Sequence, residues 1–260
     1  MTEAVKIERR DGVLEITLDR PKANAIDMVT SQKMGEAFAE LRDDPDLRVG
    51  ILTGGGERFF SAGWDLKAAS EGEDYEADYG VGGFAGFTEM HDLDKPVIVA
   101  VNGIACGGGL DIVVSADLIL AVPEAEFFFP EIFAGVMTDA GAIRLPRCIP
   151  HAIAMEMLLT GRRMGAEEAA GWGLINEVVE RSGLMDRARE IAATIVSAAP
   201  LAIAATKQTA RVTGHHDIES AYALLRDGGA PLYQKMLTSE DAIEGPRAFS
   251  EKRPPIWKAR

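Results

Sequence analysis

Residues 13–18, Val-Leu-Glu-Ile-Thr-Leu, alternate between apolar and polar side chains. A period of two turns one face of a strand toward a core and the other toward solvent, so a half-buried strand is predicted here. After Asp27, apolar residues recur three to four positions apart. This spacing predicts an amphipathic helix that is capped by Asp27 and runs to about residue 42.

Further apolar runs predict strands at residues 49–53, 97–101, 117–122 and 126–129. Helical segments separate them, which is typical of βαβ units and a largely parallel sheet. From about residue 166 helical periodicity takes over, and it predicts helices over residues 184–198, 200–212, 217–237 and 239–252. The chain is therefore predicted to be an α/β protein, with a core over residues 1–200 and a helical C-terminal segment over residues 201–260.

The composition fits one globular unit of 260 residues, of which 47% are hydrophobic. The longest nearly apolar run, residues 97–110, is too short and too rich in glycine to span a bilayer, so no membrane is expected as a partner. Charges stand in the first ten residues where a signal peptide needs an apolar stretch, which favours a cytoplasmic location. The net charge of −14 disfavours nucleic acid, whose binding depends on Lys and Arg.

The chain has two cysteines, Cys106 and Cys148, which do not make a disulfide framework. Cys106 has no obvious histidine partner nearby and is interpreted as a small buried hydrophobe rather than a nucleophile. No metal-ligand spacing occurs in the sequence, so no metal is expected.

Residues 103–109, Gly-Ile-Ala-Cys-Gly-Gly-Gly, join an apolar strand to a segment that can open a helix. The first amides of such a helix have no internal partner, glycine allows close approach to them, and the helix dipole adds positive charge. The Lys and Ser/Thr of a phosphate loop and the dinucleotide-binding glycine pattern are both absent. Carboxyl groups follow instead, at Asp111 and Glu131, which fits carbonyl polarisation with acid–base catalysis. A tight turn capped by Asp111 is the alternative.

A second glycine loop leads into residues 60–65, Phe-Ser-Ala-Gly-Trp-Asp. Together with Asn-Gly-x-Ala-x-Gly-Gly-Gly-x-Asp at residues 102–111 and Pro-Glu-x-x-x-Gly at residues 130–135, this ordered set resembles the enoyl-CoA hydratase/isomerase (crotonase) superfamily. The resemblance runs from about residue 13 to residue 260. Within that superfamily, residues 14–27, 59–67, 160–169 and 239–246 are similar to the carnitinyl-CoA dehydratase (crotonobetainyl-CoA hydratase) subgroup.

The resemblance implies a spiral of β-β-α turns with a helical C-terminal part that covers the site and joins subunits into trimers or hexamers. It also implies that the amides of Ala62 and Gly108 form an oxyanion hole for the thioester oxygen. Glu131 would deliver a proton to the α-carbon, and Asp111 would activate the water that adds at the β-carbon. Coenzyme A would be part of the substrate, with no separate cofactor bound.

The resemblance also implies residues that bind CoA. The predicted CoA-binding residues are Lys22, Ala23, Asn24, Asp65, Leu66 and Lys252. Aromatic residues beside Ala62 and after the acidic loop, with the Gly141-Ala142 pair, predict an acyl pocket formed by Trp64, Phe84, Phe87 and Gly141. Tyr75 and Tyr79, in the acidic loop 70–83, could join these aromatic residues in a wall that attracts a trimethylammonium group by cation–π interaction. A purely apolar acyl pocket is the alternative.

Two positions depart from the family pattern. Hydratases of the family generally carry Glu where this chain has Asp111, and the lost methylene retracts the carboxylate by roughly 1.5 Å. Gly141-Ala142 replaces a frequent Gly-Gly pair. Reversible hydration of a short enoyl-CoA, with carnitinyl-CoA and crotonobetainyl-CoA as the pair, is the leading hypothesis. A double-bond isomerase that uses Glu131 alone and a non-catalytic binding protein of the same fold are the alternatives.

A serine hydrolase is also considered, because the chain contains Ser61, Ser115 and four histidines. The Gly-x-Ser-x-Gly elbow of such enzymes is absent, and no histidine has a positioned partner. The sequence therefore disfavours a hydrolase.

Overall fold

The computed structural model describes residues 4–260 and contains two β-sheets. Strands are numbered along the chain. The larger sheet contains, in spatial order, β1 (Val5–Arg10), β2 (Val13–Leu18), β3 (Val49–Gly54), β5 (Val97–Val101), β7 (Leu118–Ala121) and β10 (Glu177–Val178). Only the β1–β2 pair in this sheet is antiparallel. Crossover connections are therefore required along the rest of it.

The smaller sheet has four strands. Its strands, in spatial order, are β4 (Phe59–Ser61), β6 (Ile104–Cys106), β8 (Glu126–Phe128) and β9 (Met164–Gly165). The strands β4, β6 and β8 run parallel, and β9 runs antiparallel to β8. Each of β4, β6 and β8 follows a strand of the larger sheet, so repeated β-β-α units wind through both sheets.

Eleven α-helices occur in the described residues. They are α1 (Met28–Asp43), α2 (Leu66–Ser70), α3 (Gly108–Ser115), α4 (Asp139–Cys148), α5 (His151–Thr160), α6 (Ala166–Gly171), α7 (Leu184–Ser197), α8 (Pro200–Thr213), α9 (Ile218–Arg226), α10 (Pro231–Leu237) and α11 (Glu240–Glu251). As predicted, Asp27 caps α1 by accepting a hydrogen bond from the Thr30 amide at 2.8 Å.

The core lies between the larger sheet and the helices that cover it. Every residue of β3 and β5 is buried, as expected for strands covered on both faces. The apolar face of α1 packs on the sheet, and its Phe38 ring stacks on Phe87 with 4.7 Å between ring centroids. Glycine-containing turns follow both β3 and β5 along the chain.

The predicted strands and the helical C-terminal part are observed, within a few residues of the expected bounds. The long helix predicted over residues 217–237 is two helices, because Gly228 takes a φ of +82° and ends α9. The division of the chain at residue 200 stays a prediction. Within residues 4–260 no single helix is long and apolar enough to cross a bilayer, although a pair bent by 105°, residues 181–197 and 200–213, meets that test when taken together.

Candidate active site

A cavity of about 640 Å³ lies where both glycine turns meet the acidic loop. Its walls come from three parts of the chain: residues 62–84, the turn 106–108 with the start of α3, and residues 130–139. The side chains that bear on chemistry are Trp64, Tyr75, Tyr79, Asp111, Glu131 and Thr138. The sequence motifs separated along the chain therefore converge on one pocket.

The structure corrects one predicted oxyanion-hole donor. The Ala62 amide donates to the Ala23 carbonyl at 2.9 Å, so this N–H is not available to a ligand. Two residues further on, the Trp64 amide has no acceptor among residues 4–260, and Trp64 lines the cavity. The unbonded amide of this motif that lies at the cavity is therefore that of Trp64.

Gly108 keeps its predicted position. It is the first residue of α3, where an amide has no partner one turn earlier, and it lines the same cavity as Trp64. The two turns are in close contact, because a Cβ on Gly63 would lie 2.5 Å from the Gly108 nitrogen. Gly63 itself has a φ of +77°, a conformation that favours glycine. Backbone packing thus holds the turn that carries Gly63 against the Gly108 amide.

Asp111 lies in the first turn of α3 with 6% of its surface exposed. Its Oδ1 accepts a hydrogen bond from the Thr138 hydroxyl at 2.6 Å. Burial, together with the nearby carboxyl groups of Glu131 and Asp139, raises the pKa of Asp111 to about 7, while the Thr138 hydroxyl and the Gly141 amide oppose the shift.

Glu131 follows the Phe-Phe-Phe-Pro segment and faces the glycine turn. Its Oε2 is buried and has no hydrogen-bond partner in the part of the chain that the structure describes. A Cβ added at Gly107 would lie only 2.4 Å from Glu131 Oε1. Burial raises the pKa of Glu131 to about 7. Two carboxyl groups that share one cavity are therefore both shifted into the neutral range, where one can be an acid while the other is a base.

The acidic loop 70–83 is anchored over the cavity. Glu73 accepts hydrogen bonds from the Trp64 indole at 3.2 Å and from the Met28 amide, at the start of α1, at 3.0 Å. Tyr75 donates to the Met137 carbonyl at 2.7 Å and packs edge-on against Trp64, with 5.3 Å between centroids. These bonds hold two aromatic rings against the carboxyl-bearing wall of the pocket.

A second aromatic pair continues this wall. Tyr79 packs edge-on against Phe84 with 5.4 Å between centroids, and both residues line the cavity. Burial raises the pKa of Tyr79 to about 12, so its hydroxyl stays neutral. The acyl-pocket prediction is thus supported in position for Trp64 and Phe84.

Two predicted acyl-pocket residues lie elsewhere. Phe87 is 5% exposed and packs on Phe38 in the core, so it does not line this cavity. Gly141 lies behind the pocket, where its amide donates to the Thr138 hydroxyl oxygen at 3.0 Å. A Cβ on Gly141 would lie 2.4 Å from the Phe129 ring, so this position controls packing rather than contact with a ligand.

The predicted CoA-binding residues on the first turn have internal roles. The Ala23 carbonyl accepts the Ala62 amide, and the buried Asn24 side chain donates to the carbonyls of Gly55, Phe59 and Phe60 at 2.9, 3.1 and 3.1 Å. These bonds brace the loop that precedes Trp64.

Asp65 and Leu66 stand next to this loop. Asp65 caps α2 and pairs with Arg20 at 2.7 Å, whereas Leu66 is 63% exposed and lines the cavity. Lys22 and Lys252 are exposed and do not line it. Contact between the predicted residues and CoA stays a prediction.

Other chemistries have no support in the described residues. No group of three His, Cys, Asp or Glu side chains within residues 4–260 could hold a metal ion. Cys106 lines the cavity, but burial raises the pKa of its thiol to about 11, which disfavours a nucleophilic thiolate.

Unbonded amides beside two carboxyl groups with raised pKa values are the arrangement expected of an acid–base enzyme that acts on a carbonyl group. Comparison with known proteins makes this class specific. The family model described as enoyl-CoA hydratase/isomerase matches residues 8–260. The chain belongs to the enoyl-CoA hydratase/isomerase family, as its motifs indicated.

Individual relatives agree with this assignment. The chain is 57% identical to proteins named carnitinyl-CoA dehydratase from Citrobacter koseri and Salmonella agona, over 100% of both chains in each case. An enoyl-CoA hydratase structure from Mycobacterium tuberculosis H37Rv superposes with a TM-score of 0.91 at 39% identity, covering 99% of each chain. A carnitinyl-CoA hydratase structure from Mycobacterium avium has a TM-score of 0.76 at 40% identity over 100% of each chain. The predicted family, enzyme class and fold class are confirmed.

Proposed function

We propose that this enzyme catalyses the reversible addition of water to a short enoyl-CoA, with crotonobetainyl-CoA and carnitinyl-CoA as its preferred pair. One observation carries the proposal. The unbonded amides of Trp64 and Gly108 line the same cavity as the carboxyl groups of Asp111 and Glu131. A thioester carbonyl placed against the amides would have its α- and β-carbons within the carboxyl-bearing part of the pocket.

The amides would act on the thioester oxygen. Addition of water to an enoyl thioester moves charge onto this oxygen as an enolate forms, and donors already oriented toward it stabilise that charge. One such donor typically contributes about 3–4 kcal/mol in the transition state. The proposed pair differs from the sequence prediction only in that Trp64 replaces Ala62.

The carboxyl groups would divide the proton transfers. Asp111, as carboxylate, takes a proton from water while the water oxygen bonds to the β-carbon. Glu131, as neutral acid, gives its proton to the α-carbon. Dehydration reverses each step. The unpartnered Oε2 of Glu131 suits the neutral acid, because no donor in residues 4–260 reaches this oxygen and burial disfavours the charged form.

The carnitinyl group is proposed as the acyl group because it carries a positive charge. A carnitinyl chain ends in a trimethylammonium group, and the rings of Trp64, Tyr75 and Tyr79 line the cavity beside an acidic loop. A cation against an aromatic face gains about 0.5–2 kcal/mol per ring. The relatives named carnitinyl-CoA dehydratase support the same choice.

The test compares crotonobetainyl-CoA with 5,5-dimethylhex-2-enoyl-CoA, in which a neutral carbon replaces the charged nitrogen. We expect the wild-type enzyme to hydrate the charged substrate with the higher kcat/KM. We expect Trp64→Leu, which keeps the backbone amide, to reduce this preference about 2- to 30-fold. Trp172→Leu, at a residue outside the cavity, is the control and should leave the preference unchanged. An unchanged ratio in Trp64→Leu would show that the indole does not recognise the cation.

Isomerisation of a 3-enoyl-CoA is the second candidate, and the short side chain of Asp111 favours it. If Asp111 cannot reach a water, Glu131 alone can move a proton between the α- and γ-carbons. An assay of 3-enoyl-CoA against 2-enoyl-CoA separates the two reactions. Faster conversion of the 3-enoyl thioester without formation of the 3-hydroxy product would favour the isomerase.

Assembly into a homotrimer or hexamer is proposed for the same enzyme. The C-terminal helices carry strongly exposed apolar side chains, such as Ile218 at 77%, Ile243 at 69% and Phe249 at 87% exposure. Contact with a second copy would cover such a surface, and it would allow Lys252 to reach the nucleotide of CoA bound to a neighbour. Light scattering measures the mass of the assembly directly.

A further inference from the structure

Thr138 is the side chain through which the start of α4 contacts Asp111. It is 5% exposed, and its hydroxyl lies 2.6 Å from Asp111 Oδ1. The same oxygen caps α4 by accepting the Gly141 amide at 3.0 Å. One hydroxyl therefore joins the N-terminus of α4 to the carboxyl group on α3.

The direction of the Thr138–Asp111 hydrogen bond follows from these two contacts. A hydroxyl has one proton, and an amide can only donate, so the Thr138 oxygen accepts from Gly141 and its proton points to Asp111. Asp111 Oδ1 is therefore an acceptor. A carboxylate is stabilised by such a donor, whereas Glu131 Oε2, in the same cavity, has no donor within residues 4–260.

The charged groups near Asp111 do not explain why Asp111, rather than Glu131, would be the base. Glu131 and Asp139 both act on Asp111 as negative charges, and the neutral Tyr75 hydroxyl donates to Met137. The arginines of α4 are engaged elsewhere, since Arg144 donates to the Thr88 carbonyl and Arg147 to the Ile143 carbonyl. In the described part of the chain, the Thr138 hydroxyl is thus the side-chain donor on Asp111, and the Gly141 amide that it accepts acts on Asp111 in the same direction.

We propose that Thr138 is a positioning residue that orients the short Asp111 side chain and keeps it the base of the carboxyl pair. This inference rests on the proposed function. The hydroxyl holds Oδ1 against α4, which leaves Oδ2 to face the water that adds to the β-carbon. In this way the shorter acid remains part of the hydration reaction.

The test compares Thr138→Val, which removes the hydroxyl at nearly constant volume, with Thr138→Ser, which keeps it. In Thr138→Val we expect the acid limb of the kcat/KM profile to move up by about one to two pH units, the size expected for one hydrogen bond to a charged group. We expect kcat to fall while KM changes little. Thr138→Ser should keep the wild-type profile, and a Thr138→Val profile that coincides with wild type would overturn the proposal.

Thr138→Val also removes the cap of α4, so a capping control is required. Ser239 caps α11 in the same way, accepting the Ala242 amide at 3.1 Å, and lies outside the cavity. Ser239→Ala should lower the melting temperature without moving the pH profile. If it moves the pH profile as Thr138→Val does, loss of a cap explains the effect and the positioning role is wrong.

A readout without substrate separates this proposal from the proposed function. The Asp111 carboxyl can be titrated by ¹³C NMR in wild type and Thr138→Val, with Asp111→Asn to assign its signal. We expect a higher pKa for Asp111 in Thr138→Val. An unchanged Asp111 titration overturns the positioning role, whereas absence of enoyl-CoA turnover in the wild-type enzyme overturns the proposed function.

Discussion

Gly63→Ala isolates the oxyanion hole from the rest of the active site. A Cβ at this position would lie 2.5 Å from the Gly108 nitrogen and 2.7 Å from the Cys106 carbonyl oxygen. Both neighbours are backbone atoms, so they cannot rotate away as a side chain could. The Gly108 amide must therefore be covered or displaced by the added methyl group.

Gly56→Ala is a matched control for this substitution. Gly63 has a φ of +77° and Gly56 a φ of +78°, so alanine meets nearly the same backbone strain at both positions. A Cβ on Gly56 would have no neighbour within 4 Å. We expect about 1–2 kcal/mol of lost stability from the backbone term in each variant, or a melting temperature lower by about 2–8 °C.

The activities of the two variants should differ sharply. Removal of one oxyanion-hole donor typically lowers kcat by about 10²–10³-fold, and we expect a loss of this size in Gly63→Ala and little change in Gly56→Ala. Steady-state hydration of an enoyl-CoA, followed by loss of enoyl-thioester absorbance, measures both. Equal kcat values in the two variants would refute the placement of the oxyanion hole at Trp64 and Gly108.

Two further substitutions test the carboxyl groups. Glu131→Gln should lower kcat by about 10²–10⁴-fold, and it should also change stability with pH. Burial raises the pKa of Glu131 from 4.5 to about 7, so the folded protein binds more protons than the unfolded chain between these values and loses stability as pH rises through them. Thermal melts at pH 5 and pH 8 should therefore show Glu131→Gln more stable than wild type only at pH 8. The same difference in melting temperature between variant and wild type at both pH values would contradict this prediction. Asp111→Glu should crowd the Thr138 hydroxyl, which already lies 2.6 Å from Asp111 Oδ1. Asp111→Glu/Thr138→Ala should relieve this crowding and recover part of the hydration activity, but not all of it, because the positioning hydroxyl is lost. A double variant no better than Asp111→Glu would show that the two positions are not coupled.

Most of the fold could be predicted because its signals are local. The alternation in β2, the buried runs of β3 and β5 and the cap at Asp27 depend on neighbouring residues alone. The spiral arrangement came from the family resemblance, since periodicity does not fix how βαβ units stack. The helices α4 and α5 were not assigned from the sequence.

The sequence motifs located the cavity, and the residues that were placed wrongly have spatial causes. The choice between the amides of Ala62 and Trp64 depends on the Ala23 carbonyl, which is distant in sequence and takes up the first of them. Phe87 was assigned to the pocket because aromatic residues cluster near the acidic loop, yet packing on Phe38 places it in the core. The bond from Thr138 to Asp111 joins residues 27 positions apart, and the sequence offered only the short side chain of Asp111 as a hint.

The carbonyl stretching frequency of a bound thioester tests the central claim most directly. An acyl-CoA labelled with ¹³C at the thioester carbonyl can be measured by isotope-edited infrared spectroscopy, free and bound to the enzyme. Two hydrogen bonds from Trp64 and Gly108 weaken the C=O bond, so we predict a clear shift to lower wavenumber in the wild type and a smaller shift in Gly63→Ala. A carbonyl frequency in the wild-type complex equal to that of the free thioester would contradict the account.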